Sequence, residues 1–285
     1  MKKVFSTLAI GVLALSLAAC GAGNKTDTNT ATPQEGQPVT LKVGATAVPH
    51  AEILNEVVKP MLQKENINLN VVLFQDFVMP NTQLAEKELD ANYFQHIPWL
   101  EKTNKEKGLD LTYVAGIHIE PMGIYSNKSK AYKDVAALPQ GAVVAITNAS
   151  AEQGRILGIL EKAGLLKLKD GVDTNGTVAD IVEKKIELKE LEPAMLPRSI
   201  DDPGIDAAVI NSNFAMEAGL KPTENSIYIE EGKDNPNVNV LATRQDNKDS
   251  EVIKKLAKAM TSPEVKDFID KKYNGAVVFV GQLKE

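Results

Sequence analysis

The strongest constraint on the fold is an alternation of strand-like and helix-like segments that begins near residue 39 and continues toward the C-terminus. Short apolar runs of strand length are separated by stretches in which large apolar residues recur at helical spacing. The clearest strand patterns are residues 39–44, 69–74, 142–147, 186–191, 205–210 and 238–243. The helical patterns include residues 151–163, 178–185, 249–261 and 263–273. Such alternation predicts an α/β protein with parallel sheets.

The composition is that of a globular protein and argues against nucleic-acid binding. Of 285 residues, 43% are hydrophobic and 25% are charged. The formal net charge is −6 and no run of Lys and Arg stands out, whereas contacts with phosphates need clustered positive charge. The part of the chain after residue 39 is long enough for two lobes.

The first residues have the pattern of a secretory signal. A short positive start precedes an apolar stretch, residues 4–19, which is shorter than the ~20 residues that a membrane span needs. The stretch ends in Leu-Ala-Ala-Cys20 and resembles the lipobox of bacterial lipoproteins, although an ordinary signal peptide before a stray cysteine has the same outline. We predict a lipoprotein signal peptide at residues 1–19, acyl chains such as palmitate on Cys20, and a flexible tether at residues 20–39. The protein would then be anchored on the extracytoplasmic side of the cell membrane.

Familiar catalytic signatures are missing from the sequence. There is no Gly-rich phosphate loop, no dinucleotide-binding fingerprint, no His-Glu-x-x-His motif and no Gly-x-Ser-x-Gly elbow. The three histidines lie far apart in the sequence, and a single cysteine allows neither an intrachain disulfide nor a cysteine-based zinc site. We therefore expect a binding protein without catalytic residues, cofactor or metal, rather than an enzyme.

Aromatic residues are concentrated in one stretch of a chain that is only 5% aromatic. Phe94, His96 and Trp99 lie within six residues of one another, and Phe77 follows an earlier strand pattern. Packing in the core is one explanation, because aromatic side chains dominate protein cores. The other explanation is a pocket wall for an apolar ligand side chain, with His96 as its polar tip.

Polar side chains follow buried strand patterns, at the sheet edge where parallel sheets bind ligands. Arg155 lies in the helix after one such strand, and Asn211 and Asn213 follow another. A guanidinium there can bind a carboxylate through two parallel hydrogen bonds, and amides can bind an ammonium or a carboxylate. Asn239 is a further candidate. The alternatives are a surface ion pair for Arg155, a helix cap at Asn211 and an Asx turn at Asn239.

Several sequence blocks together resemble the methionine-binding lipoproteins of the NlpA type, the substrate-binding subunits of methionine ABC importers. The blocks are residues 90–96 (DANYFQH), 161–165 (EKAGL), 196–199 (LPRS), 207–213 (AAVINSN) and 217–220 (EAGL). The resemblance runs from about residue 41 to the C-terminus. It implies a periplasmic-binding-protein-like fold, with two α/β lobes joined by two crossover strands and a ligand cleft between them.

The resemblance also implies how the lobes and partners are arranged. The implied lobes are residues 40–122 with 241–285, and residues 123–240. The hinge strands would lie near residues 121–125 and 239–243. The implied partners are methionine, the permease and ATPase subunits of the importer, and the membrane through Cys20, with the binding protein itself a monomer.

By the same resemblance, the candidate site residues take specific roles. The side chains that would enclose the thioether are Phe77, Phe94, His96 and Trp99. Arg155 would pair with the ligand carboxylate. Asn213 and Asn239 would hold the backbone of the amino acid, with Asn211 as a weaker candidate.

The chain departs from the family at two positions of the aromatic wall. Phe77 and Trp99 stand where the family usually has tyrosine. Loss of a hydroxyl removes a polar contact and can loosen specificity. A second hypothesis therefore stays open, in which the same scaffold binds a methionine-containing dipeptide or another apolar amino acid.

Overall fold

The computed structural model describes residues 38–172 and 176–284. The predicted signal peptide, the lipidated Cys20 and the tether up to residue 37 lie outside these residues. No helix in the described ranges is long and apolar enough to cross a membrane. Two main sheets with helices packed on them make up the described chain, which confirms the α/β fold class.

The strands and helices are numbered in chain order. The strands are β1 (Val39–Ala45), β2 (Ile67–Leu73), β3 (Ala91–His96), β4 (Leu111–Ile119), β5 (Gly123–Ser126), β6 (Ala142–Thr147), β7 (Leu166–Leu168), β8 (Ile181–Lys184), β9 (Ile186–Leu191), β10 (Ala207–Ile210), β11 (Ser226–Ile229), β12 (Val238–Arg244) and β13 (Val278–Leu283). The helices are α1 (Lys59–Gln63), α2 (Met79–Ala85), α3 (Ile97–Lys107), α4 (Ser150–Lys162), α5 (Leu196–Ser199), α6 (Ser212–Glu217), α7 (Pro222–Asn225), α8 (Glu251–Met260) and α9 (Pro263–Tyr273). Two π-helical turns, Ala47–Ala51 and Leu54–Val58, precede α1.

Within the described ranges, the first sheet has the strand order β13-β4-β12-β3-β1-β2. β1 pairs in parallel with β2 and β3, as expected for strands that are connected through helices. β12 runs antiparallel to both β3 and β4, and β13 runs antiparallel to β4. The sheet is therefore mixed rather than parallel. The chain reaches β12 only after it has formed the second sheet, and β12 then inserts between β3 and β4 of the first sheet.

The second sheet has the order β11-β5-β10-β6-β9 over the described residues. β6 pairs in parallel with β9 and β10, whereas β5 pairs antiparallel with β10 and β11. The helix predicted at residues 178–185 is wrong. A 3₁₀ turn at Val178–Asp180 leads instead into β8, which pairs with β7. The β-branched Ile181 and Val182 favour an extended backbone there.

The chain passes between the two sheets at two segments. Residues 120–122 connect β4 to β5, and residues 230–237 connect β11 to β12. The range expected for the second hinge strand, residues 239–243, lies inside β12 and is paired with β3 and β4. The second connection therefore comes before β12, and each connection begins with a glutamate, Glu120 or Glu230.

Each sheet has its own apolar core. Leu241 of the first sheet packs in a cluster with Met260 of α8, and both side chains are fully buried. Val209 of the second sheet packs with Leu157 of α4 in the same way. A third cluster contains side chains from both halves and lies beside the ligand-binding candidates described next. Each sheet, together with the helices packed on it, thus forms one half of the molecule with a core of its own. The candidate residues lie where the two halves meet.

Candidate ligand-binding site

A cavity of about 30 Å³ lies between the two sheets. All eight residues that the sequence suggests as ligand contacts line this cavity. They are Phe77, Phe94, His96, Trp99, Arg155, Asn211, Asn213 and Asn239. Sequence reasoning missed the other wall residues, which are Gln95, Glu120, Met122, Glu152 and Ser212. The structure thus brings the candidates together, and their contact with a ligand stays a prediction.

β3 and the first turn of α3 form one wall of the cavity. β3 is buried along its whole length, and its alternate residues Phe94 and His96 reach the cavity. His96 is also the N-cap of α3, because its Nδ1 accepts a hydrogen bond from the backbone N–H of Trp99 at 3.1 Å. The cap fixes the imidazole and the start of the helix that carries the Trp99 ring.

Buried amides hold α2 against β3. Gln95 Nε2 donates to Asn81 Oδ1 at 2.7 Å and to Asn92 Oδ1 at 2.9 Å, and Asn81 Nδ2 donates back to Gln95 Oε1 at 2.8 Å. Asn92 Nδ2 also donates to the carbonyl oxygen of Pro80, at the start of α2. The network positions the loop that ends in Phe77. Within the block at residues 90–96, Asn92 and Gln95 thus hold α2 in place, and Gln95 also lines the cavity.

The aromatic wall is a cluster of rings centred on Phe77. The Phe77 ring centroid lies 5.4 Å from that of Trp99 and 6.0 Å from that of Phe94. It also lies 4.9 Å from the ring of Phe214, which belongs to α6 on the other half of the molecule. For these side chains, the core packing that the sequence suggested is present, and the pocket wall stays a prediction. They are buried in one cluster, and the cluster borders the cavity.

Arg155 is held from two sides and is not a surface ion pair. Its Nη2 donates to Glu230 Oε2 at 2.7 Å and to the carbonyl oxygen of Glu120 at 2.8 Å. Its Nη1 lies 3.9 Å from Glu152 Oε2, which is too long for a hydrogen bond. Burial acts against the charged form, but the neighbouring Glu230 and Glu152 carboxylates outweigh it and raise the pKa of Arg155. Arg155 therefore stays charged, and its Nη1 has no acceptor within hydrogen-bond distance in the described ranges.

His96 and Glu152 join the two halves across the cavity. The His96 Nδ1 accepts the cap bond, so the ring carries its proton on Nε2 and donates it to Glu152 Oε1 at 2.6 Å. Burial acts to raise the pKa of Glu152, but the His96 imidazole and Arg155 together hold that pKa below its ordinary value. Glu152 is thus an ionised carboxylate in a buried wall.

Four polar atoms of this wall are buried without a hydrogen-bond partner among the described residues. The two acceptors are Glu152 Oε2 and Asn211 Oδ1, and the two donors are Asn213 Nδ2 and Trp99 Nε1. A buried polar group without a partner is destabilising by about 1–3 kcal/mol. Unsatisfied donors and acceptors around one cavity therefore indicate a ligand that carries both kinds of group.

His50 and His118, which are not among the predicted ligand contacts, contact residues of the cavity wall. His118 Nε2 contacts Glu120 Oε1 at 2.8 Å, and His50 Nε2 contacts the same oxygen at 3.1 Å. His50 Nε2 also donates to Asn239 Oδ1 at 3.1 Å. The three ligand atoms of His50, His118 and Glu120 lie within 4.8 Å of one another, a spacing that a metal ion could use. No sequence signal pointed to this cluster, because His50 follows β1 whereas His118 and Glu120 lie at the end of β4, and only the fold brings these segments together.

The chain is similar to known proteins over nearly its full length. Residues 41–280 match the family model of the NlpA lipoproteins. The methionine-binding lipoprotein MetQ of Bacillus subtilis is 41% identical over 286 residues, which cover 99% of this chain and 100% of that protein. The D-methionine-binding lipoprotein MetQ of Escherichia coli O157:H7 is 39% identical over 272 residues, which cover 95% of this chain and 96% of that protein.

A solved structure confirms the fold that the resemblance implied. It is that of a nutrient binding protein from Burkholderia cenocepacia bound to methionine, with a TM-score of 0.79 and 41% sequence identity. The match covers 84% of this chain and 99% of that one. From the family model and these relatives, this chain belongs to the NlpA lipoprotein family.

Proposed function

We propose that this protein binds methionine and delivers it to the membrane subunits of an ABC importer. A free amino acid is a zwitterion, so its site must offer partners to an ammonium and a carboxylate and a surface for the side chain. The observation that carries the proposal is a single cavity that offers hydrogen-bond donors, hydrogen-bond acceptors and an apolar surface. Among the described residues, unpartnered donors and acceptors converge on it, and an aromatic cluster forms one wall. The names of the relatives support the same ligand.

In this proposal the polar groups divide between the two charges of the ligand. Arg155 binds the carboxylate through Nη1, since Glu230 and the Glu120 carbonyl hold the other nitrogens. Asn213 Nδ2 donates to the same carboxylate. The amide oxygens of Asn211 and Asn239 accept hydrogen bonds from the ammonium.

The thioether of methionine lies against the rings of Phe77, Phe94 and Trp99, beside His96. A sulfur atom near an aromatic ring contributes roughly 0.3–1.5 kcal/mol. The contact distinguishes methionine from an amino acid of similar length that lacks the sulfur. The aromatic wall therefore supplies selectivity as well as burial.

Replacing Phe94 by leucine tests the role of the ring while keeping an apolar side chain of similar reach. We expect the ratio of methionine affinity to norleucine affinity to fall roughly twofold to tenfold, because norleucine has a methylene where methionine has sulfur. Isothermal titration calorimetry with both ligands measures the ratio. The matched control is Phe268→Leu on α9, far from the cavity wall. An unchanged ratio in the Phe94 variant would contradict the contact.

Binding requires the cleft to open. The residues that line the cavity are at most 9% exposed, so a ligand cannot reach it unless the two halves move apart. We propose that the two halves are lobes that open about residues 120–122 and 230–237 and close over the ligand. Ser212 Oγ donates to the carbonyl oxygen of Pro121, so α6 is fastened directly to the first of these segments.

The location and partners of the protein belong to the same proposal. The lipobox-like sequence at Cys20 supports a lipid anchor on the extracytoplasmic side of the membrane, with residues up to 37 as a tether. From there a monomer presents its closed, loaded form to a permease, which is driven by an ATPase subunit. The names of the relatives support the lipoprotein character.

A second candidate ligand is favoured by one further observation. A pocket of about 450 Å³ lies behind Phe77 and Trp99 and shares both rings with the cavity. Its apolar lining includes Phe77, Val78 and Trp99, and most of the other lining residues are small, polar or charged side chains of α2, α3 and the start of α4. A displaced Phe77 ring would connect the two spaces and admit a methionine-containing dipeptide or a larger apolar amino acid.

Native mass spectrometry of the purified protein, before and after mild denaturation and refolding, tests the proposed function. We expect a bound mass equal to methionine that is lost on denaturation, and a thermal shift when methionine is added back. The bound mass of a dipeptide would favour the second candidate. No bound mass, together with no thermal shift from any amino acid or dipeptide at excess, would contradict both.

A further inference from the structure

Glu120 is a buried carboxylate on the cavity wall that the assignments above do not use. It lies immediately after β4, where the chain leaves the first sheet, and its side chain is 8% exposed. Its Oε1 is contacted by the Nε2 atoms of His118 and His50, and the backbone N–H of Asn213 also points to the carboxyl group. The group is thus fixed in place beside the proposed ligand.

The two histidines hold this carboxylate as neutral donors. The Tyr93 hydroxyl contacts His118 Nδ1, and the Thr46 hydroxyl contacts His50 Nδ1 at 2.7 Å. A hydroxyl that donates to Nδ1 leaves the proton on Nε2, from which each ring donates to Glu120. Burial lowers the pKa of His50 to about 4 and the pKa of His118 to about 3. Neither ring therefore supplies a positive charge at neutral pH.

The Glu120 carboxyl group has no short contact with a cationic side chain in the described part of the chain. Arg155 is the guanidinium of this wall, and its short contacts are with the Glu230 carboxylate and the Glu120 backbone, not with the Glu120 carboxylate. In the described ranges, the ion-pair contacts of Glu120 are with His50 and His118 alone. Burial raises the pKa of Glu120, so its ionised form is unfavourable in the fold until a charged partner is supplied. A ligand ammonium would supply that partner.

We propose that Glu120 binds the α-ammonium of the ligand, so that the site requires a free amino group. This inference rests on the proposed function and adds to it the group that recognises the positive end of the zwitterion. Asn211 Oδ1 and Asn239 Oδ1 supply neutral acceptors to the same ammonium. His50 links the two kinds of acceptor, because it contacts both Glu120 and Asn239. Acylation of the amino group removes the charge and therefore the main interaction.

A comparison of two ligands on two proteins tests the role of Glu120. The ligands are L-methionine and its des-amino analogue 4-(methylthio)butanoic acid, and the variant is Glu120→Gln, which keeps the shape and removes the charge. We expect methionine affinity to fall about 30-fold or more, with the affinity for the analogue unchanged or higher. The matched control is Glu88→Gln, because Glu88 is exposed and does not line the cavity.

Each other outcome overturns the inference in a distinct way. Equal losses for both ligands would mean that Glu120 acts only through the fold, and an unchanged methionine affinity would mean that it does not contact the ammonium. Wild-type protein that binds no methionine would overturn the proposed function and this inference with it. Loss of binding on treatment with EDTA, with recovery on adding Zn²⁺, would assign His50, His118 and Glu120 to a metal instead.

A second variant keeps the test valid if Glu120→Gln does not fold. Glu120→Asp retains the charge but withdraws it by one methylene, so methionine affinity should fall while the affinity for the des-amino analogue does not. Circular dichroism establishes folding for each variant before titration. Parallel losses for both ligands in a folded Glu120→Asp protein would overturn the inference as well.

Discussion

Replacing Arg155 by alanine is expected to weaken methionine binding by on the order of 2–5 kcal/mol, or roughly 30-fold to several-thousand-fold in Kd. The ligand carboxylate would lose its charged partner in a site where Arg155 is only 9% exposed. The loss includes a second contribution. Glu230 and Glu152 would also lose the guanidinium that lies between them, and their charges would repel an incoming carboxylate.

The geometry around Arg155 predicts how a conservative change behaves. Lysine keeps the charge but lacks the planar fork that contacts Glu230 and the Glu120 carbonyl at the same time. We therefore expect Arg155→Lys to recover only part of the lost affinity. Calorimetric titration of methionine into both variants, with circular dichroism as a check of folding, measures the two effects.

Arg198 provides the matched control for this experiment. It carries the same charge on the same half of the molecule, but it is exposed and does not line the cavity. Arg198→Ala should bind methionine with wild-type affinity. If Arg155→Ala also binds with wild-type affinity, the assignment of Arg155 to the carboxylate is wrong, whatever the identity of the ligand.

The residues of the candidate site could be predicted because they lie at places that the sequence marks. Asn211 and Asn213 follow the apolar run that becomes β10, and Arg155 follows the run that becomes β6. These two strands are parallel neighbours, so the residues that follow them lie at the same edge of the sheet. Phe94 and His96 were suggested by aromatic density and by resemblance. Asn239 depended on the resemblance alone, since an Asx turn explained its sequence context equally well.

The residues that sequence reasoning missed depend on contacts between distant segments. Glu120 and His118 lie at the end of β4, and His50 lies far earlier in a π-helical turn. Each would be an ordinary polar residue in its local sequence. His50 meets the other two because the turn after β1 packs beside the end of β4 and the start of β12, where His50 contacts Glu120 and Asn239, and neither periodicity nor composition specifies this arrangement. The insertion of β12 between β3 and β4 makes the first sheet mixed, contrary to the expectation of parallel sheets.

The error at residues 178–185 has a local cause. Its apolar residues are few and their spacing fits a short helix about as well as a strand. The Thr177 N–H and hydroxyl both donate to Asp180 in a capping box, which starts a helical turn at Val178–Asp180 that does not continue beyond Asp180. The chain then pairs with β7, so a tertiary contact decides the conformation of a segment with weak local preference.

In the proposed function, the cavity wall would allow ligand binding to favour closure. His96 and Glu152 come from opposite halves and are joined by a hydrogen bond of 2.6 Å, and Phe77 packs on Phe214 across the same interface. These contacts hold the two halves together, yet Glu152 Oε2 and Asn211 Oδ1 have no partner among the described residues. A zwitterion that forms hydrogen bonds with these oxygen atoms removes the free-energy cost of burying them without a partner in the closed form. Closure is then favoured by the ligand that fits, rather than by apolar contact alone.

Acidification is expected to lower the free energy of unfolding of the ligand-free protein by on the order of several kcal/mol between pH 6.5 and about 4. In the unfolded chain, His50 and His118 gain protons near their ordinary pKa of 6.5, whereas burial lowers the pKa of His50 to about 4 and that of His118 to about 3 in the fold. The unfolded state then binds more protons in this window, so stability is complete above pH 6.5 and falls as the pH drops. Each unit of pKa shift corresponds to about 1.4 kcal/mol.

Three charged or titratable neighbours determine the size of this effect. Burial raises the pKa of Glu120, so the folded protein gains that proton before the unfolded chain does and offsets part of the loss. Tyr93 stays neutral because burial raises its pKa, and Arg155 stays charged. Urea unfolding at a series of pH values, with methionine removed because bound ligand would stabilise the fold, measures the slope. His118→Gln removes one of the two buried imidazoles and should flatten the slope, whereas an equal slope in variant and wild type would show that the acid sensitivity arises elsewhere.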